Sequence, residues 1–152
     1  FIIEENIGVV KGIAGGNFLI MGTDMMSALT GAQAAVEVID DVEGASTTFP
    51  GGIVGAGSKV GSMKYKFMKA STNHLFCPTI KDKVPDSKVP EGVKAVFEIV
   101  IDGVNEKAVS IAMRDGIEAA CQVQGVTRIS AGNYGGTLGP YKFELHKILS
   151  QR

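Results

Sequence analysis

A chain of 152 residues with 45% apolar and 20% charged residues suits one globular domain, and this composition excludes a disordered chain. A formal net charge of −1 argues against general nucleic-acid affinity, and no apolar run approaches the roughly 20 residues that span a bilayer. Two cysteines, Cys77 and Cys121, are too few for a disulfide framework and lack zinc-ligand spacing, which points to a reducing, cytoplasmic setting.

The opening Phe1-Ile2-Ile3 runs straight into Glu4 and Glu5, the wrong length and charge for a secretory signal. The first predicted strand is Phe18-Leu19-Ile20-Met21-Gly22, with Phe18 and Ile20 opposing Asn17, Leu19 and Met21. A helix follows. Asp24 can cap it, Met25, Leu29, Ala32, Val36 and Ile39 recur at spacings of four and three, and Gly44 stops it. Next come a strand over 42–48 and the pair Gly51-Gly52. The same order then repeats: a strand at Phe97-Glu98-Ile99-Val100-Ile101, and a helix capped by Asn105 with Val109, Ala112, Met113, Gly116, Ala119 and Val123 as its stripe. Gly125, a strand over 123–130 and Gly135-Gly136 complete the second round. Two tandem β-α-β halves predict an α+β, ferredoxin-like βαββαβ antiparallel sheet with helices on one face. The strands are apolar on both faces, so the second face needs a cover: an insert, another lobe or a partner subunit. The tail predicts a last strand around Tyr141–Leu145 and a helical turn.

Between the halves sits a long insert, roughly residues 50–92, glycine-rich at its start and closed by Pro78, Pro85 and Pro90. An ordered loop of this length within one domain (1–152) is usually functional. From Gly55 to Lys83 six lysines face a single acid, Asp82, a local excess of five positive charges that leaves about −6 elsewhere. Such a patch on a near-neutral protein suggests an anionic small molecule.

Among residues able to carry chemistry, Glu98 stands out. Flanked on its strand face by Val96 and Val100, it lies in an apolar setting that favours a neutral acid, able to hydrogen-bond an oxyanion or to pass a proton to an amine. A solvated glutamate on an open sheet face is the competing reading. The stretch from Gly51 to Lys59 lacks the glycine-lysine-serine/threonine ending of a nucleotide loop, and reads either as a ligand wall with Ser58 and Lys59 at its rim or as a tight, close-packed loop. His74 and Cys77 are three apart with no third ligand nearby, a poor case for a metal or a catalytic thiol; Asn73 and His74 fit better as hydrogen-bonding wall residues. Ser130 and Asn133, in a segment rich in small residues, either approach a ligand or form a plain turn. His146 reads as a surface histidine, and Met25-Met26 as core or interface filler.

Five blocks taken in order resemble one family. They are Lys11-Gly12-Ile13-Ala14-Gly15-Gly16-Asn17-Phe18; Phe49–Val54 through Gly57-Ser58-Lys59-Val60-Gly61; Thr72-Asn73-His74 with Cys77-Pro78-Thr79; Phe97–Gly103; and Ser130–Gly136. The family is formylmethanofuran:tetrahydromethanopterin formyltransferase, and the resemblance covers essentially the whole chain. It implies the C-terminal (distal) lobe of a two-lobed, cytoplasmic homo-oligomer, which suits a chain that begins at Phe1 rather than methionine. It also implies transfer of a formyl group between methanofuran and N5 of tetrahydromethanopterin, as co-substrates, with no bound cofactor, no metal, no nucleic acid and no membrane. Glu98 matches the family's essential glutamate; Ser58, Lys59, Asn73, His74, Ser130 and Asn133 become cleft residues. The lobe on its own is expected to be inactive, lacking the N-terminal lobe that completes the cleft. A non-catalytic subunit of a formyltransferase/hydrolase complex, or a lobe that only binds a carrier, are the alternatives.

Overall fold

The computed structural model describes residues 2–56, 73–132 and 139–150. Five strands and three α-helices follow in chain order: β1 (Ile13–Gly22), α1 (Met25–Asp40), β2 (Ala45–Thr47), β3 (Ile53–Gly55), β4 (Ala95–Gly103), α2 (Glu106–Cys121), β5 (Val126–Ser130) and α3 (Leu145–Ser150). The sheet runs β2-β4-β1-β5, with β3 also on β4, and every pairing is antiparallel. β2 pairs Ala45–Thr47 with the far end of β4, and β3 pairs Ile53–Gly55 with Ile99 back to Phe97. Together they make one edge, interrupted by the Pro50–Gly52 turn where Gly51 and Gly52 take positive φ.

The repeat read from the sequence is written in the hydrogen bonds. Asp24 caps α1 by accepting from Ser27 N, and Asn105 caps α2 by accepting from Ala108 N. Both helices are 16 residues long. Each is followed by a glycine with left-handed backbone, Gly44 (φ 79°) and Gly125 (φ 90°). The halves then grip one another reciprocally. Thr23 N donates to Gly125 O at 2.9 Å, and Val104 N donates to Gly44 O at 2.8 Å. Each strand-to-helix turn is thus held by the helix exit of the other half, an approximate twofold relation about the central β1–β4 pair.

The two sheet faces have different covers. Phe18, Ile20, Ile99 and Ile101 meet α1 and α2 through Ala32, Ala35, Ile39, Val109, Ala112 and Met113. On α1 the buried stripe is Ala28, Gly31, Ala32, Ala35 and Ile39, so the predicted stripe is displaced: Met25 is 58% exposed and its neighbour Met26 is exposed as well. Mostly small side chains take the buried positions of α1, which lets it lie close to α2 and the sheet, while Met25 and Met26 in its first turn stay at the surface. On the opposite face Leu19, Met21 and Val96 are covered by Ala56, Phe76, Val89 and Val93, which come from the connection between β3 and β4. The insert is therefore one cover of the second face. The tail differs from expectation: residues 139–144 form no strand, and Phe143, Leu145 and Ile148 pack on the helix-side core, the last two from α3. Burying that apolar trio against α2 competes with pairing at the sheet edge, and the packing wins.

Candidate functional site

Residues that face each other across antiparallel strands project to the same side. Glu98 lies opposite Leu19 on β1 and Val54 on β3, and Leu19 lies opposite Ser130 on β5. One row across the second face therefore reads Val54, Glu98, Leu19, Ser130. Two strand spacings separate Glu98 from Ser130, about 9–10 Å. Glu98 is only 9% exposed, which excludes the reading of a solvated glutamate on an open face.

Its carboxylate is held from the neighbouring strand. Asn17 Nδ2 donates to Glu98 Oε1 at 2.6 Å, reaching diagonally from its place opposite Val100. In this contact Oε1 is the acceptor. Asn17 was visible in the sequence as a residue of this strand face, but not as the partner of Glu98. Alternation assigns the face of a residue, whereas the contact needs the β1–β4 register.

The other sequence-predicted residues divide by place. Asn73 and His74 lead into a short 3-10 turn, His74–Phe76, whose Phe76 packs on the same sheet face as Glu98. The Asn73 side chain is half-buried and its Nδ2 has no hydrogen-bond partner among the described residues, leaving a desolvated donor beside this face. His74 is exposed. Cys77 Sγ lies 3.2 Å from Thr79 Oγ1, a local contact within the next turn. Ser58, Lys59 and Asn133 lie outside the described residues. A cleft of about 510 Å³ opens at the far end of the sheet, between Gly12–Ala14, Gly44–Ser46 and Asp102–Val104. It does not include Glu98. His146 is on the exposed side of α3, as read.

A family profile described as "FTR, proximal lobe" matches residues 1–148. The chain belongs to the FTR proximal-lobe family. That description corrects the expectation of a distal lobe: proximal and distal state where a lobe sits in an assembly, which the residue pattern of a single chain does not carry. The chain is 60% identical over 148 residues to the formylmethanofuran--tetrahydromethanopterin formyltransferase of Methanothermobacter thermautotrophicus, covering 97% of this chain and 50% of that protein. It is 57% identical to the enzyme of the same name from Methanosarcina acetivorans, with the same coverage. The solved formyltransferase of Methanosarcina barkeri superposes with a TM-score of 0.85 at 57% identity, over 95% of this chain and 48% of that one. The formyltransferase/hydrolase complex of Methylorubrum extorquens, solved with methylofuran, contains a chain that matches at TM-score 0.80 and 41% identity, over 93% of this chain and 46% of that one. The FTR-family chain spans about half the length of the relatives it matches.

Proposed function

We propose that this chain is the lobe of a formyltransferase that carries the acid for moving a formyl group between methanofuran and N5 of tetrahydromethanopterin. The support is the 55–60% identity to enzymes of that name along nearly the whole chain, together with a buried carboxylate on the sheet face. In the forward direction the N5 lone pair attacks the formyl carbon and gives a tetrahedral intermediate. The C–N bond to methanofuran then breaks, and the proton lost from N5 ends on the departing amine. No covalent enzyme intermediate is needed, so neither Cys77 nor Cys121 has a part. Glu98 donates a hydrogen bond to the developing oxyanion or relays the proton, while Asn17 holds its carboxyl group in place. Ser58, Lys59, Asn73, His74, Ser130 and Asn133 form the surrounding wall, with Ser130 supported by its place in the Glu98 row.

The same reading treats the sheet as ferredoxin-like, since two β-α-β halves with order β2-β4-β1-β5 give that arrangement. It makes residues 1–152 one domain with an insert at about 50–92, in a cytoplasmic homo-oligomer whose cleft is completed by another lobe. The chain on its own is then inactive.

The observation that carries the proposal is Glu98 held nine-tenths buried with a 2.6 Å hydrogen bond from Asn17. Its test is Glu98→Gln in the intact protein, which keeps size but replaces the acid O–H by a weaker amide donor that cannot release a proton. Formyl transfer is expected to fall by about 10²- to 10³-fold in kcat. Wild-type turnover by that variant refutes the assignment. The Methylorubrum extorquens match favours a second reading, a non-catalytic subunit of a formyltransferase/hydrolase complex. Absence of any transfer by the intact wild-type protein would select it, and equilibrium binding of methanofuran without turnover would mark a carrier-binding lobe.

A further inference from the structure

β1 contains an irregularity just before Asn17. Ile13 pairs with Gly103 and Gly16 with Ile101, so three steps on β1 are matched by two on β4. This is a β-bulge with one extra residue. Gly15 within it has φ 93°, a left-handed conformation that suits glycine. The bulge changes the phase of the strand. Ile13 and Phe18 are an odd number of residues apart, yet both lie in the helix-side core. Without the extra residue the alternation could not place Ile13 and Phe18 on the helix side together with Asn17 on the Glu98 side.

One side chain holds the bulge. Gly15 N donates to Asp102 Oδ1 at 3.1 Å, a contact between residues 87 apart in sequence. Asp102 is on β4, four residues beyond Glu98 and on the same face. The two carboxylates are thus tied to β1 at either end of a short span, Asp102 to the bulge and Glu98 to Asn17.

We propose that Asp102 is a positioning residue for Glu98: by accepting from Gly15 N it pins the β1 bulge next to Gly16 and so steadies the end of the β1–β4 ladder from which Asn17 reaches Glu98 Oε1. This rests on the reading of Glu98 as the working acid. Its proposed action on Glu98 runs through Gly15 and Asn17.

The test uses Asp102→Ala, Asp102→Asn and Asn17→Ala in the intact protein, with Glu98→Gln as reference. Asp102→Asn keeps an acceptor oxygen and serves as the rescue. In Asp102→Ala, hydrogen exchange at the Gly15 amide is expected to rise at least about tenfold, because the amide loses its acceptor. Formyl-transfer kcat is expected to fall about tenfold, with carrier KM changed less than about twofold and Asp102→Asn within about threefold of wild type. The double variant Asp102→Ala/Asn17→Ala should lose no more than the worse single variant, as expected of residues acting along one chain of contacts. If Asp102→Ala does not fold, Gly15→Ala attacks the same clamp from the other strand; an added Cβ there meets no atom within 4 Å, so only the backbone conformation is challenged. Unchanged exchange at Gly15, unchanged kcat in the clamp variant, failure of Asp102→Asn to rescue, or strictly additive losses each overturn the inference while leaving the role of Glu98 intact. Full activity of Glu98→Gln overturns both, and is recognised because the failure then appears in the reference variant itself.

Discussion

Two helix caps in equivalent places are chemically different. Asp24 accepts from Ser27 N at 2.9 Å, Ser27 Oγ at 2.8 Å and Thr23 Oγ1 at 3.0 Å; Asn105 accepts from Ala108 N at 2.9 Å. The Ser27 backbone donor foremost, then the Ser27 and Thr23 hydroxyls, hold the Asp24 carboxyl below its ordinary value of 3.8. A carboxylate depressed by folding contributes stability that is fully present above its unfolded value and is lost as pH falls through the folded one. The window is thus at and below 3.8. Asn105 has no proton to take up, so its cap is constant. As the solution is acidified below 3.8, protection of the Ser27 amide is expected to fall while that of Ala108 persists, relative to the global transition. Asp24→Asn should abolish the difference. Hydrogen exchange resolved at those two amides decides it; parallel loss at both would show that the caps do not act independently.

At the level of elements glycine and alanine let the helices and the sheet pack closely around large side chains such as Ile39 and Phe18. A Cβ built on Gly116 of α2 would lie 2.7 Å from Ile39 Cδ1, 3.0 Å from Ile39 Cγ1 and 3.2 Å from Phe18 Cζ. Ile39 and Phe18 are both fully buried, so neither can move aside without disturbing the sheet-side core. Helix propensity alone would make Gly116→Ala stabilising by about 1 kcal/mol. Overpacking costs roughly 1–3 kcal/mol, and here it should win. A net loss of up to about 2 kcal/mol is expected from the denaturant midpoint at unchanged m-value; a gain would mean that the interface relaxes easily. Both N-caps and the glycine stops were legible in the sequence, because each is a local signal. The face of Glu98 was legible too, from period-two alternation. What was not legible depends on pairing between distant segments. The bulge at Gly15, the delivery of Asn17 and the docking of Phe76, Val89 and Val93 onto Leu19 and Met21 are fixed only when β1 and β4 come together. In the tail the helical turn was legible and is α3, whereas the strand expected around Tyr141–Leu145 does not form. Met25 failed for a related reason: spacing found the stripe but not how close the opposing surfaces lie.

For the molecule as a whole, charge is near balance in sum and uneven in place. Six lysines against one acid lie between Gly55 and Lys83, on a chain whose formal net charge is −1. Lys64 and Lys66 fall outside the described residues, and their expected effect is one of field rather than contact. Charges of this kind act on an anionic ligand within a Debye length, about 10 Å at 0.1 M salt. Under the proposed function, an anionic part of a carrier remote from the formyl group would feel that field equally in the ground and transition states, and uniform binding changes KM without changing kcat. Neutralising the pair as Lys64→Gln/Lys66→Gln should therefore raise carrier KM about 2- to 10-fold at low salt, leave kcat unaltered, and flatten the rise of KM with ionic strength. Steady-state kinetics across a salt series measure all three. If KM and its salt dependence stay as in the wild type, the lysines are a solvated face. The result also bears on Glu98, because the two kinds of contribution separate: a loss in kcat belongs to the buried acid and its supports, and a salt-sensitive loss in KM belongs to the patch.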